Sequence, residues 1–161
     1  MYDTLSGMEV TPASESASIV FDKSHFPLLY ITFTARPMTD ADVHDFCREM
    51  DAVLQGGRKC FALIDTTRQR TAATATQRRI FADWISNAKS RALSKLRVAD
   101  ALVIPNPLIR GAVTAVFWIR PPVAPTKTVG TLSEAIPHLE EHARAAGLEF
   151  TPAMRARVLR G

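Results

Sequence analysis

Cys60-Phe61-Ala62-Leu63-Ile64-Asp65 is a continuous apolar run ending in a carboxylate, and its reading decides the fold. It lies between turn signals, too short for a helix, and fits a strand covered on both faces. Downstream, Thr74-Ala75-Thr76-Gln77 has the form of a capping box, the Thr74 hydroxyl reaching the Gln77 amide and the Gln77 side chain reaching back. Behind that cap Ile80, Phe81, Trp84, Ile85, Ala88 and Ala92 form one apolar stripe. The spacing predicts a helix to about residue 93, the longest of the chain. A buried strand that hands over to a capped helix is the repeating unit of α/β sheets.

The flanking sequence repeats this unit. Upstream, Thr39-Asp40-Ala41-Asp42 supplies an N-cap and acidic first-turn residues. Val43, Phe46, Cys47, Met50, Val53 and Leu54 then recur at helical spacing over about 40–55, and Gly56-Gly57 ends that helix in a left-handed cap. Earlier still, Ile19-Val20-Phe21 and Leu28-Leu29-Tyr30-Ile31-Thr32-Phe33 read as two strands joined by a polar turn, with Leu29, Ile31 and Phe33 on one face of the second. Downstream, Val98 to Ile104 repeats the buried-strand pattern, and Asn106-Pro107 opens a helix over about 107–119. That helix is expected to turn Leu108, Ala112, Ala115, Val116 and Ile119 inward and Arg110, Gly111, Thr114 and Trp118 outward. A short strand at about 127–129 precedes a last helix capped by Thr131. Pro137 inside it forfeits about 3 kcal/mol and predicts a late start or a kink.

The expected fold is therefore α/β, a mixed, mostly parallel five-stranded sheet covered by about four helices. Residues 1–16 read as a flexible arm and 17–147 as the domain. The basic tail over 148–161, with Arg155, Arg157 and Arg160 beside Met154, Val158 and Leu159, fits either a docked amphipathic helix or a disordered segment.

Composition narrows the function classes. With 47% apolar and 22% charged residues in 161, the chain suits one domain that buries roughly two-thirds of its unfolded surface. No apolar run reaches the roughly 18 to 20 residues of a membrane span. The start, Met1-Tyr2-Asp3-Thr4-Leu5-Ser6, lacks the basic and apolar regions of an export signal, so a cytoplasmic location is expected. Twenty Lys and Arg against sixteen Asp and Glu give a net charge of +4, and fifteen of the twenty are Arg, which suits planar anionic partners. Cys47 and Cys60 are too few for a disulfide scaffold and sit among apolar neighbours.

The element order resembles the STAS domain, and most closely the SpoIIAA-like group of small stand-alone proteins. The residues that carry the resemblance are Phe61-Ala62-Leu63-Ile64-Asp65, Val98-Ala99-Asp100-Ala101-Leu102-Val103, Arg110-Gly111-Ala112-Val113-Thr114-Ala115-Val116-Phe117-Trp118 and Val129-Gly130-Thr131-Leu132-Ser133-Glu134-Ala135, within about 18–146. In regulatory members of that family a Ser or Thr, usually in an Asp-Ser pair after the third strand, is phosphorylated and thereby releases a partner kinase. The corresponding stretch here, 65–76, holds no Asp-Ser pair, but Thr71, Thr74 and Thr76 offer hydroxyls for modification.

The same stretch is the leading candidate site. It leaves the carboxyl end of a buried strand and enters a helix N-terminus, where open α/β sheets bind ligands and exposed amides favour anions. Asp65, Thr66, Thr67, Arg68, Arg70 and Arg78 are expected to bind a partner protein or a small anionic ligand, against the alternative of a solvated basic loop. Arg110, Thr114 and Trp118 form a second candidate, an interface of a homodimer. The expected function is a non-enzymatic STAS-like binding or regulatory protein, with no cofactor, metal or membrane involved. The rival is a small enzyme using Asp65 as acid or base with Thr67 and Arg68. Nucleic-acid binding through the basic tail ranks third, because aromatics are few and no binding motif is present. The pair His138 and His142 departs from the zinc motif His-Glu-x-x-His and reads as a solvated helix face.

Overall fold

Five strands hydrogen-bond in chain order in the computed structural model, which describes residues 16–161. They are β1 (Ile19–Asp22), β2 (Leu28–Phe33), β3 (Cys60–Asp65), β4 (Arg97–Val103) and β5 (Thr126–Val129). β1 runs antiparallel to β2, and the remaining pairs are parallel. Among the described residues there are six helices: α1 (Asp40–Leu54), α2 (Ala75–Ser86), α3 (Ala88–Ser94), α4 (Pro107–Ile119), α5 (Leu132–Ala145) and α6 (Pro152–Arg160). The architecture is the expected mixed α/β sheet. The arm expected over 1–16 lies, save Ser16, outside the described residues.

A strand order that never reverses, linked by crossovers of one hand, puts successive helices on one face of the sheet. Leu29, Ile31, Phe33, Cys60 and Ala62 accordingly meet α1 and α2, while Leu102 and Ile104 meet α4, with Ile64 shared by both clusters. The opposite face, Leu28, Tyr30, Phe61, Leu63, Ala99, Ala101 and Val103, packs on α5 and α6. The strands are thus apolar on both faces, as the run at 60–65 requires. The two layers differ in the side chains that fill them. Ala135 and Ala143 let α5 approach Ala99 and Ala101 closely. The first face is filled by rings: Phe46 on α1 has Phe21 and Phe81 at 5.5 Å and Phe33 and Trp84 at 5.9 Å, centre to centre.

Caps fall where the local sequence puts them. Thr39 and Thr74 close capping boxes on α1 and α2, Asn106 caps α4, and Gly57 takes the left-handed φ of 74° after α1. Three expectations are overturned. The helix over 74–93 is two helices, because Asn87 is extended at ψ 128° and its side chain caps α3 by accepting from the Lys89 and Ser90 amides. The break carries Ser90 to Asp51, whose Oδ2 accepts its hydroxyl at 2.8 Å while Oδ1 accepts Trp84 Nε1 at 3.0 Å. α1, with 15 residues, is therefore the longest helix among the described residues.

Of the late start or kink expected of the last helix, the late start is overturned. α5 begins behind the Thr131 cap and passes through Pro137. Ala135, Ile136, Leu139 and Ala143 are buried on both sides of the proline, and at about 1.5 to 3 kcal/mol for each large side chain that burial outweighs the roughly 3 kcal/mol lost at Pro137. The third correction concerns α4, which is rotated from its expected setting. Leu108 is 77% and Ile119 60% exposed and Ile109, Val113 and Phe117 face inward in their place, while Val116 is buried and Arg110, Gly111, Thr114 and Trp118 are exposed as expected. Of the two readings of the tail, the structure has the docked helix: α6 buries Met154 and Val158 against α5.

Candidate functional site

Neighbouring residues of an extended chain point to opposite faces, so Asp65 and Thr66 part at the end of β3. Asp65 turns toward the α5 and α6 side, buried at 2% exposure. There its Oδ2 accepts the Tyr30 hydroxyl at 2.7 Å and its Oδ1 accepts the Thr67 amide at 2.9 Å. Burial first, then the Asp65 carboxylate, pushes the Tyr30 phenol far up. Thr66 turns to the α2 and α4 side, its hydroxyl and amide both donating to the Val103 carbonyl, at 2.7 and 3.1 Å. Of the expected grouping, Asp65 meets Thr67 through that amide, Arg68 is exposed, and the second carboxylate oxygen is held by Tyr30 of the neighbouring strand.

Of the three arginines expected at one rim, only Arg78 reaches the interior. Its Nη1 donates to the Ala73 carbonyl at 2.9 Å, strapping the loop onto α2. Arg68 and Arg70 point outward, exposed. Thr71 and Thr76 are exposed as well, whereas the Thr74 hydroxyl accepts the Gln77 amide as the α2 cap. Gln77 Nε2 then donates to the Met38 carbonyl at 2.9 Å, which fixes the start of α2 to the segment before α1.

Thr66, Gln69, Ala73 and Arg78 border one end of a partly open cavity of about 130 Å³ between the sheet and the α2–α4 pair. Its floor is Ile64, Leu102 and Ile104, and its walls are Phe81 and Trp84 of α2 and Ile109, Val113 and Phe117 of α4. Sequence reasoning found the loop at its rim and missed the space behind it. The space lies between Phe81 and Trp84 of α2 and the apolar stripe that α4 presents through Ile109, Val113 and Val116.

The far end of the cavity is charged. β4 carries a bulge where Cys60 pairs with Arg97 and Phe61 already pairs with Ala99. The extra residue shifts the alternation, so Arg97 and Asp100 project to the same face and both line the cavity. Arg97 Nε stands 3.0 Å from Asp100 Oδ1, and each side chain is 7% exposed. Beyond this ion pair, Arg97 Nε and Nη1 and Asp100 Oδ1 are buried without a hydrogen-bond partner. The guanidinium sits 5.7 Å from the Trp84 ring centre. Burial pushes the Asp100 carboxyl up against the opposing pull of Arg97. The pair left a signal in the sequence, since a strand buried on both faces has no room for charges without partners.

The second expected grouping lies along one exposed stripe of α4, its members one turn apart. Arg110 folds back, its Nη2 donating to the Ile104 carbonyl at 2.7 Å, and Thr114 donates to the Arg110 carbonyl at 2.9 Å. Trp118 is 85% exposed, beside Ile119. Elsewhere, burial pushes the thiols of Cys47 and Cys60 up, to about 12 and about 11, which leaves both protonated at neutral pH. His138 and His142 stack edge to face at 4.6 Å, and burial with the Pro125 carbonyl opposing it pulls the His138 ring below its usual range. Among the described residues no group of three His, Cys, Asp or Glu is placed to hold a metal, and no helix is long and apolar enough to cross a membrane. No family model, curated protein or solved structure matches this chain.

Proposed function

We propose that this is a non-enzymatic binding protein of STAS-like type that takes a small, largely apolar molecule into the cavity behind the loop and helix start after β3. One observation carries the reading. A cavity of about 130 Å³ is lined by aliphatic and aromatic side chains, and an apolar occupant of fitting shape removes that lining from water. The size agrees with that of apolar cavities that bind benzene, roughly 150 Å³. The loop end, with Thr66, Gln69 and Arg78, supplies polar contacts at the rim.

Titration with toluene, followed by amide NMR shifts, tests the reading. Saturable shifts at Leu102, Val113 and Phe117 are expected, and Ala112→Leu, which fills the cavity from α4, is expected to abolish them while raising Tm. Shifts that are absent, or the same in the filled variant, would remove the proposal. A regulatory partner remains part of it. Arg68 and Arg70, exposed and outside any ion pair, suit an acidic partner surface, and a second copy of the chain suits the Trp118 face of α4.

A further inference from the structure

Resting on that reading, we infer that Arg97 and Asp100 recognise the head of the cavity's ligand, and that the head is a neutral primary carboxamide on a small aromatic body. Three buried polar atoms, Arg97 Nε and Nη1 and Asp100 Oδ1, have no hydrogen-bond partner beyond the 3.0 Å ion pair between Nε and Oδ1, although both side chains are more than nine-tenths buried and line the cavity. Buried donors and acceptors in folded proteins are nearly always paired, so these three describe what fits against them. Two are donors and one is an acceptor. A carboxamide presents its carbonyl to the guanidinium and its N–H to the carboxylate in one plane, which matches the fork of an arginine.

Charge selects among heads that could make such contacts. Arg97 already neutralises Asp100, so the pair has no net charge, and an anionic head would bring an unbalanced charge into an apolar chamber. A head without a donor would leave Asp100 Oδ1 unmet, and one without an acceptor would leave the guanidinium unmet. The body follows from the walls. Phe81, Trp84 and Phe117 line the cavity, and about 130 Å³, near the volume that takes benzene, suits a single ring whose head reaches the charged end. The bulge in β4 is the device that builds the site, since without it Arg97 and Asp100 would not share a face.

Calorimetric titration of the full chain with toluene, benzamide and benzoate separates the two proposals. From the wild type to the Arg97→Met, Asp100→Leu double variant, the affinity for benzamide relative to toluene is expected to fall about ten- to a hundredfold, the range for hydrogen bonds to charged groups. Should that variant not fold, Asp100→Asn keeps the shape but leaves the guanidinium unneutralised, and preference is expected to pass from benzamide to benzoate. A benzamide-to-toluene ratio that does not move, or a wild type that prefers benzoate, overturns the assigned head and leaves the cavity reading standing. If none of the three compounds binds, both proposals fall.

Discussion

Arg157, near the end of the chain, lays its guanidinium 3.7 Å from the ring centre of Tyr30 in the middle of β2. The same group donates from Nε to Asp22 Oδ2 at 2.7 Å. A segment that sequence alone left between docking and disorder is thereby fastened to the first hairpin. The stacked cation is worth about 1 to 2 kcal/mol when partly desolvated, and the ion pair, with side chains 18% and 28% exposed, adds to it. Arg157→Ala is expected to lower unfolding free energy by about 2 kcal/mol in urea titration. Arg157→Lys should recover only part, because an ammonium neither lies flat on the ring nor matches the carboxylate fork.

Acid should weaken that fastening within a defined window. Burial alone would raise the Asp22 carboxyl, but hydrogen bonds from Ser24 and Arg157 outweigh it and hold the group down to about 2. A depressed folded value means that the stabilisation is complete above the unfolded value near 3.8 and disappears as pH falls toward 2. With solvent screening the loss amounts to about 1 kcal/mol. Urea titrations at pH 5 and 2.5 are expected to show this loss in the wild type and a correspondingly smaller loss in Asp22→Asn.

Asp51 joins three helices. From α1 it accepts Trp84 Nε1 of α2 and the Ser90 hydroxyl of α3, and so secures the break at Asn87. Asp51→Ala leaves a half-buried indole N–H and a buried hydroxyl unmet, an expected loss of about 2 to 3 kcal/mol. Asp51→Asn retains one acceptor and should lose less. Amide exchange across 87–94 is expected to quicken in the alanine variant, while β3 keeps its protection; equal exchange in both regions would show that Asp51 does not secure this joint.

α4 exposes Leu108 in its first turn and the adjacent pair Trp118 and Ile119 in its last, and a large exposed apolar pair of this kind suits an interface. Mass measurement in solution is expected to give a dimer that Trp118→Ser converts to a monomer without a change in circular dichroism. A monomeric wild type would free this face from the dimer proposed for it.

Local physics made much of the fold legible. Caps and turns act over three or four residues, so Thr39, Thr74, Asn106 and Gly57 announce their helix ends from sequence alone. The run at 60–65 identifies β3 to the residue, because only a strand with both faces covered tolerates six apolar or nearly apolar positions in succession.

Facing and joining were decided elsewhere. α4 carries one apolar stripe through Leu108 and Ile119 and another through Ile109 and Val116, and periodicity has no means of choosing between two greasy faces. That choice fell to β4 and α2, which present the surface the helix must cover. Likewise the bulge that unites Arg97 with Asp100 is a mismatch between two strands, and the partner that turns Asp65 away from the cavity, Tyr30, lies 35 positions earlier in the chain. Sequence on its own thus determined the elements, whose stabilising contacts are local. The tertiary structure alone decided the cavity and its charged end, because both arise from residues that meet only after the sheet has assembled.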